Sequence, residues 1–252
     1  MTHRNVKLNL HPKVIPLQTK TRPTIVFDLD GTLIETAPDL VATTNAVLAH
    51  YEIPAVDRAF LETAIGRGAR AMIATVLKHQ AIAYDEAGLE ALYEDFVAYY
   101  AENISVHSHP FPGLVETLDE LTARGFVFAV CTNKLEGLSR RLLDALGLSD
   151  RFAAIVGPDT LGVSKPDPEH LLGAIRLAGG DSGHAVMVGD SAADIDAAKA
   201  AGIPSVAVTF GYTAIPAREL GADRIIDRYD QLPRAIDDLL GAKSLTGSTR
   251  HP

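Results

Sequence analysis

Two carboxylates one residue apart close an apolar run in Ile25-Val26-Phe27-Asp28-Leu29-Asp30-Gly31-Thr32, and they are the residues of this chain best placed to do chemistry. Along an extended backbone, Asp28 and Asp30 fall on the same side. Like charges held that close repel unless a cation lies between them or one keeps a proton. An Asp-rich turn in solvent is the plainer reading of such a stretch taken alone. The buried-looking strand before it, and three further turns downstream, shift the balance towards a site.

Thr132-Asn133 directly follows the apolar run ending at Cys131. A hydroxyl backed by the amides of a following segment suits a phosphate oxygen, although the pair is also ordinary turn chemistry. In Ser164-Lys165-Pro166-Asp167-Pro168, Asp167 reads as an N-cap and Pro168 as the first helical residue, which leaves Lys165 unexplained. In Gly189-Asp190-Ser191-Ala192-Ala193-Asp194, Ser191 and Asp194 read as a capping pair, whereas Asp190 at the strand end has no structural duty. Gathered together, Asp28, Asp30, Asp190 and Asp194 would bring up to four negative charges to one place. A hard divalent cation with oxygen ligands, Mg²⁺, together with Lys165, answers that electrostatic problem. A calcium site would need a denser ligand loop than this sequence offers.

The elements that must position these turns follow from hydrophobic periodicity. Strands are expected at 24–27, 126–131, 153–156, 185–188, 205–208 and near 224–226. Helices are expected at 114–124, 138–146, 168–177 and 192–201. Alternating β and α units with apolar strands imply a doubly wound, Rossmann-like α/β core with a parallel sheet, whose ligands bind beyond the carboxyl ends of the strands. Between about 38 and 103 strand signals are absent. Helices at 39–50, 59–65, 69–79 and 86–102 read instead as an all-helical cap inserted after the first strand. The expected organisation is a basic N-terminal extension over 1–22, a core over 23–37 and 105–241, a cap over 38–104 and a fraying tail over 242–252.

Composition bounds the partners. The chain has 252 residues, 47% of them hydrophobic, enough for a substantial core. A net charge of −9 argues against nucleic acid as the main partner and requires any phosphate site to carry its own positive charge. The single cysteine, Cys131, permits no intrachain disulfide or cysteine-based zinc site and fits a cytoplasmic setting. No apolar run reaches membrane-spanning length, and the first twenty residues lack a signal-peptide core. Monomer and homodimer both stay open.

Phe27-Asp28-Leu29-Asp30-Gly31-Thr32-Leu33, Thr132-Asn133, Lys165-Pro166 and Gly189-Asp190 with Asp194 resemble, in order, the four motifs of the haloacid dehalogenase-like hydrolases. The match spans about 24 to 228. Thr36-Ala37-Pro38-Asp39-Leu40, Gly66-Arg67-Gly68, Thr132-Asn133-Lys134 and Val208-Thr209-Phe210-Gly211-Tyr212 narrow it to the helical-capped, phosphoglycolate phosphatase-like branch. Glu35-Thr36 in place of a more usual Asp-Ser pair, and Arg67 where Asn or His is common, depart from that pattern. The resemblance implies a Mg²⁺-dependent phosphatase acting on a small phosphorylated metabolite, 2-phosphoglycolate in the first instance. A sugar phosphate, pyrophosphate or phosphomutase reading is the alternative. Asp28 would be the nucleophile that forms an aspartyl-phosphate, and Asp30 the general acid and base, protonated when substrate arrives. Mg²⁺ would be held by Asp28, Asp30 through its carbonyl, and Asp190, with Asp194 ordering its waters. Thr132 and Lys165 would hold the phosphoryl oxygens, and Gly31, Asn133 and Lys134 would belong to the substrate site.

Within the cap, Arg67 and Arg70 at a Gly-flanked helix start suit a substrate carboxylate, with two solvated arginines as the equal alternative. His107-Ser108-His109 reads as a linker between cap and core, and Cys131 as a small core residue. A dehalogenase of the same fold would lack an acid at the position of Asp30.

Overall fold

The computed structural model describes residues 22–246. The basic extension over 1–21 and the segment 247–252 lie outside the described residues. The chain enters through β1 (Arg22–Phe27) and turns through the Asp28–Thr32 loop. A two-residue strand, β2 (Ile34–Glu35), then leads into the helices α1 (Ala37–His50), α2 (Arg58–Ile65), α3 (Ala69–His79) and α4 (Glu86–Glu102). It returns through β3 (His109–Pro110), which pairs antiparallel with β2. From there it alternates through α5 (Leu114–Ala123), β4 (Val127–Cys131), α6 (Glu136–Ala145), β5 (Ala154–Val156), α7 (Pro158–Leu161) and α8 (Pro168–Leu177). The remainder is β6 (Gly180–Gly189), α9 (Ala192–Ala201), β7 (Ser205–Val208), β8 (Arg224–Ile226) and α10 (Leu232–Thr246).

The main sheet has six parallel strands in the order β5-β4-β1-β6-β7-β8. The chain adds strands outward on one side of β1 and then on the other, the doubly wound pattern expected from the sequence, with β1 at the centre. Alternation along β1 divides the packing. Ile25 and Phe27 join Phe128, Val130, Leu118 and Leu142 on one face. Val26 joins Ala129, Cys131, Leu171, Ile175 and Met187 on the other. Both faces are covered, so the strands carry continuous apolar runs. The four inserted helices enclose a separate apolar cluster, built on Leu61, Met72, Val76, Leu77, Leu92 and Phe96.

The differences from expectation lie where tertiary contacts override local pattern. The β2–β3 ladder joins Ile34 to Pro110 and Glu35 to His109, two residues a side, too short to leave a period in the sequence. α6 starts at Glu136 rather than at 138, because the Glu136 amide donates to the Asp159 carboxylate 2.9 Å away. β6 reaches back to Gly180, which pairs with Arg22 across a shift in register ahead of the apolar stretch expected at 185–188. α7 and α10 are not anticipated. α10 packs Leu232, Ala235, Ile236 and Leu239 on the sheet and carries its helical backbone through 242–246, where a fraying tail is expected.

Candidate functional site

The carboxyl ends of β1, β4 and β6 meet at one edge of the sheet. There the turns selected in the sequence converge. Asp28 ends β1 and its amide still donates to Val188 O of β6, at 2.9 Å, so the strand register fixes the carboxylate's position. Asp190 leaves β6, and Asp194 sits in the first turn of α9. One oxygen from each of Asp28, Asp190 and Asp194 lies within 4.8 Å of the others, and all three side chains are buried. Lys165, 4% exposed, reaches into the cluster and donates to Asp28 Oδ1 at 2.7 Å and to Asp194 Oδ1 at 2.6 Å.

Asp194 serves both readings made of it. Its Oδ2 accepts from the Ser191 amide at 2.9 Å and from the Ser191 hydroxyl at 2.6 Å, which caps α9, while Oδ1 faces Lys165. Asp190 accepts from the Tyr212 amide through Oδ2 at 2.6 Å and from the Thr32 hydroxyl through Oδ1 at 3.3 Å. One ammonium therefore touches two of the three buried carboxylates, and Asp190 is left with neutral donors alone. Burial pushes Asp28 up to about 7, against the opposing pull of Lys165 and with further upward push from Asp194 and Asp30. Burial, then Asp28 and Asp194, raise Asp190 well above the usual carboxylate range. The Lys165 ammonium, penalised by burial, is held above its ordinary pKa by Asp194 and Asp28. An excess of buried negative charge with only oxygen ligands fits a small hard cation.

Asp30 has its own counter-charge. Lys134, also buried, donates to Asp30 Oδ1 at 2.5 Å and to the Tyr100 hydroxyl at 3.0 Å. Its ammonium lies 4.7 Å from the centre of the Tyr100 ring. Burial works against this ammonium, but Asp30 and Tyr100 outweigh it and keep its pKa above that of an ordinary lysine. Asp30, expected from the sequence to be the general acid and base, thus stands directly against the Lys134 ammonium. Lys134, expected in the substrate site, lines the cavity with its ammonium engaged by Asp30 and Tyr100. Tyr100, from α4, joins this pair without any local signal in the sequence, since its partner Lys134 lies 34 residues away.

Asn133 takes a different place from the one expected. Its amide nitrogen donates to Lys165 O and Gly66 O, both at 3.2 Å, and its Oδ1 accepts from the Lys165 amide at 3.0 Å. Both side-chain N–H groups are thus used in clamping the Lys165 loop and the cap's Gly66 turn, leaving neither for substrate. Thr132 is buried, and its hydroxyl accepts from the Lys134 amide at 3.1 Å. Gly31 has φ of +84°, and a Cβ there would stand 2.5 Å from Asp190 Oδ2, so a side chain would push on the acid cluster. Gly68, also at φ +84°, lets the cap turn come close to the Asn133 carbonyl, which a Cβ would meet at 2.9 Å.

A cavity of about 340 Å³ opens between this sheet edge and the inserted helices. Its core wall includes Asp28, Asp30, Thr132, Asn133 and Lys134; its cap wall includes Arg67, Arg70, Met72, Tyr93, Phe96 and Val97. Arg67 and Arg70, equivalent in the sequence, differ here. Arg70 is paired with Glu86 and, at 3.2 Å, with Glu90 of α4. No hydrogen bond or ion pair holds the Arg67 guanidinium among the described residues. The two acidic partners of Arg70 lie 16 and 20 residues away, which local sequence could not indicate.

His107-Ser108-His109 lies in the returning linker, as expected, but it has an acidic partner far off in sequence. Asp39 of α1 accepts from the His107 amide at 2.9 Å, the Ser108 amide at 2.8 Å and the Ser108 hydroxyl at 2.6 Å. Cys131 is fully buried, and burial pushes its thiol up to about 12, which suits packing rather than nucleophilic work.

A doubly wound sheet with a buried carboxylate cluster at its carboxyl edge and a helical insert after the first strand defines a class. Residues 25–208 match the model of the family described as haloacid dehalogenase-like hydrolase, and the chain belongs to that family. Among its relatives is a phosphoglycolate phosphatase of Mesorhizobium japonicum, 49% identical over 212 residues, covering 84% of this chain and 93% of that protein. An N-acetylmuramic acid 6-phosphate phosphatase of Pseudomonas putida is 36% identical, covering 86% of this chain and 96% of that protein. A crystal structure of a predicted phosphoglycolate phosphatase from Haemophilus somnus superposes with a TM-score of 0.79 at 31% identity, covering 85% and 97% of the two chains.

Proposed function

We propose that this protein is a phosphatase that hydrolyses 2-phosphoglycolate to glycolate and phosphate. The reading rests on one observation above all: a nucleophile-ready carboxylate, Asp28, buried beside Asp190 and Asp194 and touched by a single lysine. Asp28 attacks phosphorus, the bond to the leaving alkoxide breaks, and an aspartyl-phosphate forms. Asp30 gives the alkoxide its proton, and Lys134 at 2.5 Å steadies the carboxylate that remains. Asp30 then takes a proton from water, which attacks the aspartyl-phosphate and releases phosphate. Lys165 and the Thr132 hydroxyl are placed to hold phosphoryl oxygens, so much of the catalysis is fixed charge rather than covalent work.

Asp28, Asp190 and the Asp30 carbonyl would hold Mg²⁺, with Asp194 orienting its waters. When bound, the ion would neutralise phosphoryl oxygens and offset the burial and mutual repulsion that now raise Asp28 and Asp190. Arg67, the cap guanidinium left free of partners, is assigned to the glycolate carboxylate. In domain terms, the core over 23–37 and 105–241 carries the reaction and the cap over 38–104 the choice of substrate. Among the described residues no helix is long and apolar enough to cross a membrane. A cytoplasmic setting with a free phosphorylated metabolite as partner fits the single buried cysteine.

A second reading has support in the cavity. Its apolar wall of Met72, Phe96 and Val97 suits a leaving group larger than glycolate, such as the sugar released from a sugar phosphate. Phosphate release from 2-phosphoglycolate, a sugar phosphate panel and an aryl phosphate, with and without chelator, separates the two. A kcat/KM highest for 2-phosphoglycolate and abolished by chelator supports the first. A sugar phosphate preferred by tenfold or more supports the second.

A further inference from the structure

Tyr212 follows β7 in the core, yet its ring packs in the apolar cluster of the inserted helices. It touches both parts of the molecule through polar atoms as well. Its amide donates to Asp190 Oδ2 at 2.6 Å. Its hydroxyl accepts from the amides of Thr36 at 2.8 Å and Ala37 at 3.0 Å, and donates to Glu35 Oε1 at 2.8 Å. Glu35 in turn accepts from Arg58, at the start of α2, at 3.1 Å. These amides open α1, where the chain passes from the core into the helical insert.

A helix start normally finds its acceptor in its own N-cap side chain. Here Thr36 occupies that position, but its side chain does not cap the helix, and its buried hydroxyl has no hydrogen-bond partner. The acceptor comes instead from a residue 176 positions away. The same residue grips a carboxylate of the acid cluster through its backbone. We propose that Tyr212 is a positioning residue that couples Asp190 to the cap hinge at Glu35-Thr36-Ala37. A cation drawn to the acid cluster and a hinge held in this arrangement then favour each other. This rests on the reading of Asp28, Asp190 and Asp194 as a Mg²⁺ site. Coupling of this kind is reciprocal, so each event must strengthen the other by the same factor.

The test is hydrogen exchange at the Thr36 and Ala37 amides of the full chain, followed by NMR with and without Mg²⁺, beside calorimetric Mg²⁺ titration. In the unaltered protein Mg²⁺ should slow exchange at both amides by about fivefold or more. Tyr212→Phe keeps the backbone bond to Asp190 but removes the hydroxyl. It should abolish the slowing and weaken Mg²⁺ binding by a similar factor. If that variant does not fold, Glu35→Ala, which loosens the hydroxyl from one side, should reduce both effects in parallel. Mg²⁺ binding with no change at these amides, or a Tyr212→Phe protein that keeps the full slowing, overturns the coupling. A protein that takes up no Mg²⁺ overturns the cation site itself and the coupling with it.

Discussion

The two walls of the cavity are built on opposite principles. On the core side the charged groups are buried and closely coupled: Lys165 bridges Asp28 and Asp194, Lys134 faces Asp30, and Asp190 is held by the Tyr212 amide and the Thr32 hydroxyl alone. On the cap wall the surfaces are largely apolar, one arginine is engaged by two glutamates and the other is free. Buried, mutually compensating charges tolerate little change, because removing one partner strands the other in a low-dielectric setting. A half-exposed arginine on an apolar wall can be exchanged at small cost to folding. The contrast fits the proposed division, with the reaction in the core and the selection of substrate in the cap.

The largest effect should come from Asp28→Asn. Turnover should fall by several orders of magnitude in a phosphate-release assay, and no phosphorylated protein should be trapped by rapid quench and mass spectrometry. Near-normal turnover would break the core side of the comparison. Lys165→Met should come next, costing about 3–5 kcal/mol of stability because two carboxylates lose their ammonium. Urea titration measures that loss, and a midpoint like that of the unaltered protein would show the bridge to be decorative.

Metal-free stability should also respond to pH through Asp28. Its folded pKa, about 7, lies above the unfolded value, so the folded state binds the extra proton between about pH 4 and 7. The contribution of Asp28 to stability is therefore fully present below that window and is lost as pH rises through it. Asp28→Asn removes this dependence, so in chelator its Tm should gain on that of the unaltered protein from pH 4 to 7. Adding Mg²⁺ should close the gap. A difference that does not vary with pH contradicts the charge balance described for the cluster.

On the cap wall, Arg67→Ala should raise KM for 2-phosphoglycolate about tenfold or more while changing an aryl phosphate little, since only the first carries a carboxylate to lose. Equal changes for both would remove Arg67 from substrate recognition. Arg70→Ala should have the smallest effect, with the urea midpoint barely moved, because its ion pairs are exposed. A large selective KM change there would reverse the roles of the two arginines.

Much of the core was legible in the sequence because strand, turn and helix signals are local. β1, the Asp28-x-Asp30 turn, the Asp167-Pro168 helix start and the Ser191–Asp194 cap all lie within a few residues of the groups that define them. What went unread lacks local cause. Asn133 looks like a phosphate contact until Lys165 and Gly66 take its amide, and Asp39 looks like a helix-start acid until the linker at 107–108 binds it. The capping of α1 by Tyr212 leaves no trace near either residue.

The chain's own order of residues was enough to determine which carboxylates and which lysine are candidates for a site and which strand ends present them, because periodicity and turn chemistry act over neighbours. Only the folded chain decided how charge is shared among them. Whether a lysine faces one carboxylate or two, and whether an arginine stays free for a ligand, depends on groups brought together across many residues. Electrostatic balance is settled by distance in space, which the sequence does not record.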